Sequence, residues 1–276
     1  MRRSRVLGER DDALVARLLD ADPVQHCFVA SRVEAGVLRT GTPGELWGYP
    51  AKAPTSLLHV GANLVTVNAD DEALDAFAAD IGRWRSFVAI VGPSAHALGL
   101  WRRLSERWPA TYAGARLVRP RQLLMACATP SPAEPDPRVA LATPAVYESY
   151  LRGAVAMYRE ELEEDPLNSN PAGYRHYVST LIVGARAFAI VENDEVIFKA
   201  DLGAMSAKVA QVQGVWVTPR LRGRGLSIPA MAAVTNAVVG QGRVASLYVN
   251  DFNTPAVACY QRCGYEVVGE LASVLF

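Results

Sequence analysis

This sequence has no excess of charge, few cysteines and no long apolar run, and each shortage excludes a class of protein. Its 276 residues carry 28 Lys and Arg against 28 Asp and Glu, so the charge balance indicates neither a nucleic-acid nor a membrane-surface partner. No apolar run reaches the roughly 20 residues of a membrane-spanning helix. Because 50% of the residues are hydrophobic and 20% are charged, the composition is typical of a globular chain.

The four cysteines, at positions 27, 127, 259 and 263, lack the spacing of a metal site. Cys259 and Cys263 fall four residues apart on one predicted helix, where a disulfide would be strained, so we expect free thiols and no metal. The first residues are basic, but Glu9, Asp11 and Asp12 follow where a signal peptide needs its apolar core. We therefore expect a soluble cytoplasmic protein.

The most informative stretch runs from residue 212 to residue 227. It reads Val-Gln-Gly-Val-Trp-Val-Thr-Pro-Arg-Leu-Arg-Gly-Arg-Gly-Leu-Ser. The β-branched run predicts a buried strand that Pro219 ends, and apolar residues after Leu226 recur at helical spacing. A strand, a glycine loop and a helix in this order direct free backbone N–H groups at an anion, and the helix dipole adds about half a positive charge. The stretch predicts a phosphate-binding loop.

Two common phosphate loops do not fit this stretch. The lysine of the P-loop is missing, and two glycines stand where the dinucleotide fingerprint has three. The pattern Arg-x-x-Gly-x-Gly, preceded by Val-x-Pro, instead resembles the pyrophosphate loop of the GNAT acyltransferases, which hold acetyl-CoA in this way. The alternative is a basic surface turn in which glycine only starts a helix.

A second stretch, from residue 247 to residue 265, strengthens the resemblance. It follows the pattern Leu-x-Val-Asn-x-x-Asn-x-x-Ala-x-x-x-Tyr-x-x-x-Gly-Tyr, which closely resembles the second conserved block of GNAT enzymes. In that family the second asparagine and the helix tyrosine line the acyl-CoA thioester, and they match Asn253 and Tyr260. The resemblance makes Tyr260 the proton donor to the departing thiolate. The alternative for Tyr260 is a half-buried tyrosine that packs on the sheet.

The resemblance implies acetyl-CoA as the co-substrate and a defined set of site residues. The candidate catalytic residues are Tyr260 and Asn253. The backbone of the strand from Val215 to Val217 would supply N–H donors to the reacting carbonyl oxygen. The candidate cofactor-binding residues are Val215, Trp216, Val217, Arg220, Arg222, Gly223, Arg224, Gly225, Leu226, Ser227, Asn250, Asn253 and Tyr260.

The general base is the point at which this chain departs from the family pattern. Many members carry a glutamate on the strand where this chain has Gln211 and Gln213, and glutamine cannot take a proton. An acidic helix end offers other groups that could act as base, bind a cationic substrate, or simply be solvated. These groups are Glu160, Glu161, Glu163, Glu164 and Asp165, with His176 as a further candidate.

Prolines at 130, 132, 135 and 137 predict an extended linker that divides the chain. The resemblance implies an α+β (mixed α/β) fold with two GNAT-like domains, each a mixed, mostly antiparallel sheet flanked by helices. We expect residues 1–128 to form a degenerate first domain, 129–138 the linker and 139–276 the catalytic domain, because the chain resembles tandem GNAT proteins. Asp70, Asp71 and Glu72 occupy the loop position in the first domain, where acids would repel a pyrophosphate.

Three local patterns give further expectations. Pro23 is placed for the first position of a helix, residues 163–171 predict an acidic loop, and residues 265–276 predict the last strand of the second domain.

The resemblance implies an N-acetyltransferase that uses acetyl-CoA and an amine in a sequential reaction. One alternative is a non-catalytic acyl-CoA-binding GNAT-fold sensor or scaffold, which only the missing strand glutamate favours. The other is a tandem-GNAT aminoacyl-tRNA-dependent transferase, against which the intact loop and the neutral charge speak. The expected partner is a small-molecule or peptide amine, without nucleic acid or membrane, and both a monomer and a homodimer stay open.

Overall fold

The computed structural model describes residues 3–276, so residues 1 and 2 of the basic start lie outside the described residues. In chain order the elements are β1 (Arg5–Val6), α1 (Asp12–Asp20), α2 (Cys27–Glu34), β2 (Glu45–Tyr49), β3 (Ser56–Val60), β4 (Asn63–Val67), α3 (Asp71–Ile81), β5 (Ala89–Pro93), α4 (Ser94–Arg107), α5 (Pro109–Tyr112), β6 (Leu117–Cys127), β7 (Ala140–Leu141), α6 (Tyr147–Leu162), α7 (Pro166–Ser169), α8 (Pro171–Val183), β8 (Ala187–Glu192), β9 (Glu195–Met205), β10 (Val209–Val217), α9 (Ser227–Val239), β11 (Val244–Asn250), α10 (Thr254–Arg262) and β12 (Glu266–Leu275). No helix among these residues is long and apolar enough to cross a membrane.

The chain divides into two compact units. The described part of unit 1 comprises residues 3–125, 248–253 and 267–276, and unit 2 comprises residues 126–247 and 254–266. Within unit 1 the strand order is β1-β2-β3-β4-β5-β12-β6. The first four strands pair antiparallel, β4 and β5 pair parallel, and β12 pairs antiparallel with β5. Leu64, Phe77, Ile90 and Leu100 are buried together where α3 and α4 cover this sheet.

Unit 2 repeats the pairing directions of β1–β5. Its strand order is β7-β8-β9-β10-β11, antiparallel as far as β10 and parallel between β10 and β11. The β8–β9 hairpin turns at Asn193 and Asp194, whose φ angles of 50° and 59° suit a tight turn of the primed type. Tyr150 and Leu151 of α6 pack with Leu181 of α8 in the core of the unit. The predicted mixed α/β, mostly antiparallel fold class is confirmed.

The proline-rich segment contains neither helix nor strand, as the composition predicts, but it is not a free tether. The Ser131 N–H donates to the Asn236 side chain at 2.7 Å, and the Asp136 N–H donates to the Pro229 carbonyl at 2.9 Å. Both acceptors belong to α9, so the segment is fixed to unit 2.

The C-terminal strand belongs to the sheet of unit 1, whereas the sequence predicts a single division of the chain. Leu271 lies opposite Pro93 and Leu275 lies opposite Ala89, so β12 belongs to unit 1. Strand pairing over such a separation depends on which sheet edge is open, and local sequence carries no signal for that choice. The boundaries at residues 128 and 139 stay a prediction.

Candidate active site

The candidate site begins where β10 and β11 stop pairing. The parallel ladder joins Val209–Gln211 to Val244–Ser246, and no pairing of β10 with β11 follows it in the described chain. β10 nevertheless continues to Val217. Two parallel strands that part at their carboxyl ends leave a crevice there, which is where ligands bind in many α/β sheets.

The loop after β10 offers a row of unpartnered backbone donors. Gly223 and Gly225 have φ angles of 72° and 82°, and a Cβ at either position would meet no atom within 4 Å. Within residues 3–276, none of the backbone N–H groups from Gly223 to Ile228 has a hydrogen-bond partner. The helix α9 that follows has 13 residues, no acidic residue in its first turn and no side-chain cap. An anion fits these free donors and the positive end of the helix dipole.

The three loop arginines differ in what they contact. Arg220 forms an ion pair with Glu195 at 2.7 Å. Arg222 forms an ion pair with Glu160 at 2.6 Å and donates through Nε to the Val217 carbonyl at 2.9 Å. Arg224 has no side-chain partner in the described part of the chain. Arg224 can therefore bind an anion without first losing an ion pair or a side-chain hydrogen bond.

The helix α3 of unit 1 presents the opposite environment at its start. The Asp70 side chain accepts the Ala73 N–H at 2.8 Å, and Asp71 and Glu72 add two carboxylates in the first turn. Arg103 is held at 2.7 Å by Asp71. An anion at this helix would meet carboxylates and an occupied donor, so the start of α3 is not equivalent to the loop before α9.

Tyr260 in α10 combines burial with an unused hydroxyl. Its side chain is 8% exposed, and its hydroxyl has no hydrogen-bond partner among residues 3–276. Burial, followed by the nearby Cys259, Tyr265 and Glu161, raises the pKa of Tyr260 well above its usual range. The phenol therefore stays protonated at neutral pH and keeps an O–H to donate.

The two asparagines flank the polar loop between β11 and α10. The Asn250 side-chain oxygen is buried and has no partner among the described residues. The Asn253 side chain is exposed, and its backbone N–H donates to the Asn250 carbonyl at 2.9 Å. A buried acceptor without a donor is costly unless a ligand or water supplies one, so Asn250 fits a ligand N–H. The catalytic role of Asn253 stays a prediction.

A bulge interrupts β10 at the predicted donor strand. Gln213 lies opposite Asp201 and Trp216 lies opposite Lys199, so Gly214 and Val215 both face the single residue Ala200. Gly214 has a φ angle of 59°, a left-handed conformation that favours glycine. Val215 thus lies at the irregular point of the strand.

Trp216 and Val217, the other predicted donors, stay in register with β9. The indole N–H of Trp216 donates to Glu160 at 3.2 Å, and the Val217 carbonyl accepts from Arg222. These contacts join the end of α6 to the loop and the strand.

The acidic helix end separates into groups with different surroundings. Glu160 is engaged by Trp216 and Arg222, and Asp165 caps α7 by accepting the Leu167 N–H at 2.9 Å. Glu163 ends α6 in the left-handed conformation, and Glu164 also makes contacts. Of these four residues, Glu160 and Asp165 are therefore held by defined partners within the protein.

Glu161 and His176 complete the set of possible bases. The charge of Glu161 contributes to the raised pKa of both Tyr174 and Tyr260, although burial is the main cause in each case. His176 is exposed on α8. Its neighbour Tyr177 accepts a hydrogen bond from the Gln213 side chain at 2.5 Å. The negative charge of Glu161 therefore acts on the candidate proton donor Tyr260.

A tyrosine cluster between α6 and α8 was not predicted from the sequence. The rings of Tyr158 and Tyr174 lie 5.6 Å apart edge to face, and Tyr174 and Tyr177 lie 6.1 Å apart. The signal was present, because tyrosines three residues apart on a helix share a face. Tyr177 also contacts Gln213, so the cluster reaches the strand that carries the bulge.

The cysteines are free and buried, as the sequence predicts. The hydrogen bond from the Cys263 thiol lowers the pKa of Cys259, and a second bond from the Ser227 hydroxyl acts in the same direction against the effect of burial. Within residues 3–276, no three or more His, Cys, Asp or Glu side chains are placed to hold a metal ion.

Comparison with known proteins gives two family matches and several similar structures. The acetyltransferase (GNAT) family model matches residues 143–265, and the model of a domain of unknown function, DUF4081, matches residues 44–150. A search of the curated proteins gives no match.

The similar structures span nearly the whole chain at low sequence identity. A GNAT-family acetyltransferase from Colwellia psychrerythraea is 11% identical with a TM-score of 0.60, with 99% of each chain covered. A GCN5-related N-acetyltransferase from Sphaerobacter thermophilus is 18% identical with a TM-score of 0.57, with 99% of this chain and 95% of that chain covered. A tandem GNAT protein of the clavulanic acid biosynthesis pathway is 14% identical with a TM-score of 0.53, with 98% and 97% covered.

At these identities the structures show a shared fold, and the family model adds the sequence pattern. The matched range contains the loop from Arg220 to Gly225 and extends through Tyr260. The free backbone donors and the protonated phenol lie on the two segments that carry the family pattern. Residues 143–265 of this chain are therefore a domain of the GNAT acetyltransferase family.

Proposed function

We propose that this protein is an N-acetyltransferase that moves the acetyl group of acetyl-CoA to an amine. The observation that carries the proposal is the row of unpartnered backbone N–H groups from Gly223 to Ile228 in front of the uncapped helix α9. The pyrophosphate of CoA is an anion of the kind that such a row binds. The open space at Gly223 and Gly225 lets it approach the backbone closely.

Each site residue then has a defined task. Acetyl-CoA supplies an acetyl group on a thioester, whose carbonyl carbon an amine nitrogen attacks. The Val215 backbone, at the bulge, donates an N–H to the carbonyl oxygen.

The protons balance through Tyr260. As the carbon–sulfur bond breaks, the Tyr260 hydroxyl gives its proton to the sulfur, which leaves as the free thiol of CoA. The amine nitrogen loses one proton, which passes to solvent water, and water returns a proton to Tyr260. The negative charge of Glu161 acts on the Tyr260 hydroxyl and helps it to keep its proton until the thiolate departs.

We assign one CoA site to the chain, on unit 2. The repeated pairing directions of β1–β5 and β7–β11 support a tandem origin of the two halves. The carboxylates of Asp70, Asp71 and Glu72 give the start of α3 the wrong charge for a pyrophosphate.

A transfer screen tests the proposed function. The full chain is incubated with acetyl-CoA and pools of small-molecule and peptide amines, and mass spectrometry looks for products heavier by one acetyl group. We expect an acetylated amine together with an equal amount of free CoA thiol. Binding of acetyl-CoA without any product would instead indicate an acyl-CoA sensor, the alternative that Gln213 in place of a glutamate favours.

Arg224 and Arg220 provide a matched pair for the anion site. Arg224 has no side-chain partner in the described chain, whereas Arg220 is held by Glu195. We expect Arg224→Gln to weaken acetyl-CoA binding about tenfold, or about 1.4 kcal/mol, because a charge-assisted contact to the phosphates is lost. Arg220→Gln removes the same charge nearby and should change the Kd by less than about threefold. An equal loss of acetyl-CoA affinity in the two variants, measured by calorimetry, would show that binding depends only on the net charge of the loop.

A further inference from the structure

A buried ion pair lies directly beneath the bulge of β10. Lys199 is fully buried at 0% exposure and Asp201 is 4% exposed. The Lys199 ammonium donates to Asp201 Oδ2 at 2.8 Å and to the Gly214 carbonyl at 2.8 Å, and it lies 3.8 Å from the Met157 sulfur. The hydroxyl of Tyr150 donates to the other oxygen of Asp201. Each of the three ammonium protons therefore has a partner.

Stability alone does not account for this pair. Two charges taken out of water cost about as much as their attraction returns, so apolar residues of similar size often stabilise a core as well. The pair does, however, fix the bulge. A Cβ on Gly214 would come within 2.7 Å of Asp201 Oδ2 and 2.9 Å of Lys199 Nζ. The backbone at Gly214 therefore packs against the ion pair too closely to admit a side chain.

The Gly214 carbonyl and the Val215 N–H belong to one peptide group. A cation that binds the carbonyl oxygen draws electron density towards it and makes the N–H of the same group a stronger donor. Val215 is the residue that the proposed function uses to donate to the thioester oxygen. The positive charge of Lys199 is thus connected to the reacting carbonyl through a single peptide bond.

We propose that Lys199, held by Asp201, is a positioning residue for acetyl transfer that acts through the Gly214–Val215 peptide to strengthen the N–H donor at the thioester carbonyl. This role rests on the proposed function, since it requires acetyl-CoA in the crevice beside β10. Lys199 itself touches neither the acetyl group nor the amine.

The test measures the bound thioester directly and needs no acceptor amine. Acetyl-CoA isotope-labelled at the thioester carbonyl is added to the full chain, and difference infrared spectroscopy records the carbonyl stretch. A stronger donor moves this band to lower frequency than in solution. The double variant Lys199→Met/Asp201→Asn removes both charges at nearly constant volume. We expect it to lose most of the frequency shift, with the Kd of acetyl-CoA within about twofold of wild type.

A matched variant separates this role from simple support of the fold. Tyr150→Phe removes the hydroxyl that donates to Asp201 but leaves Lys199 on the Gly214 carbonyl. We expect it to lower the Tm and to keep the wild-type carbonyl frequency. Once an acceptor is known, the double variant should lower kcat about tenfold, less than the loss of a whole oxyanion donor, while Tyr150→Phe should not.

The outcomes distinguish this inference from the proposed function. If calorimetry shows no acetyl-CoA binding to the wild-type chain, the proposed function fails. If acetyl-CoA binds and the double variant shows the wild-type frequency, the role of Lys199 is wrong. A second measurement needs no substitution at the pair: the Val215 amide proton, observed by NMR with selective valine labelling, should move downfield when acetyl-CoA is added. An unmoved signal would also overturn the inference.

Discussion

Replacing Tyr260 with phenylalanine is expected to lower kcat for acetyl transfer about 10²–10⁴-fold, the usual worth of a positioned proton donor. The variant keeps the ring and its packing but leaves the departing thiolate without a proton. KM for acetyl-CoA should change little, because the hydroxyl acts mainly in the transition state. Since burial raises the pKa of Tyr260, we also expect wild-type kcat to show no alkaline fall from this group below about pH 10.

Tyr265 gives a matched control for this experiment. It is 2% exposed, its ring centre lies 6.0 Å from that of Tyr260, and its hydroxyl accepts from Thr235 at 3.1 Å. Tyr265→Phe therefore removes a buried hydroxyl of the same kind that is already engaged within the protein. We expect a small loss of stability and an unchanged kcat. Near-normal turnover in Tyr260→Phe would show that Tyr260 only packs in the core and does not donate a proton.

Replacing Gly225 with aspartate is expected to weaken acetyl-CoA binding by at least about 100-fold, or about 2.7 kcal/mol. The substitution adds a Cβ where the wild-type chain has open space, and the new carboxylate repels the pyrophosphate. The fold should survive, because no atom lies within 4 Å of the new Cβ. The left-handed backbone at φ 82° adds a strain of about 1 kcal/mol.

Gly242 provides the control for that strain. It has a φ angle of 76°, and a Cβ there would also meet no atom within 4 Å. It lies in the turn between α9 and β11, where its N–H donates to the Val239 carbonyl at 2.8 Å. Gly242→Asp should therefore lower the Tm as much as Gly225→Asp while leaving acetyl-CoA binding intact. A similar loss of binding in both variants would trace the effect to the fold.

The sequence predicted those parts of the fold that local chemistry determines. Asn193 and Asp194 marked the β8–β9 hairpin because both residues tolerate a positive φ. The strand before Pro219 and the helix after Gly225 were predicted to within a few residues. The site loop was predictable for the same reason, since glycines and helix periodicity are contiguous signals.

The predictions that were wrong have physical causes that differ from one element to the next. Pro23 was predicted to start a helix, but α2 begins at Cys27 after a turn closed by the His26 N–H and the Asp22 carbonyl at 3.0 Å. The loop predicted over residues 163–171 contains the short helix α7, which Asp165 caps. The Asp-Pro pair at 165 and 166 was a cap signal that the acidic composition obscured.

The bulge network and the last strand lay beyond what the sequence shows. Lys199 and Asp201 are two residues apart on a strand and therefore share a face, but nothing local indicates that Gly214 meets them. The pairing of β12 with β5 joins residues far apart in the chain. Such contacts depend on how complete elements pack, which no local pattern encodes.

Calorimetric titration of the full chain with acetyl-CoA tests whether the loop before α9 binds CoA. We expect one acetyl-CoA bound per wild-type chain, one per chain in Gly242→Asp, and no detectable binding in Gly225→Asp at the same concentrations. A stoichiometry of two would show that the acidic start of α3 does not exclude CoA. An unchanged affinity in Gly225→Asp would contradict the assignment of the loop before α9 as the CoA site.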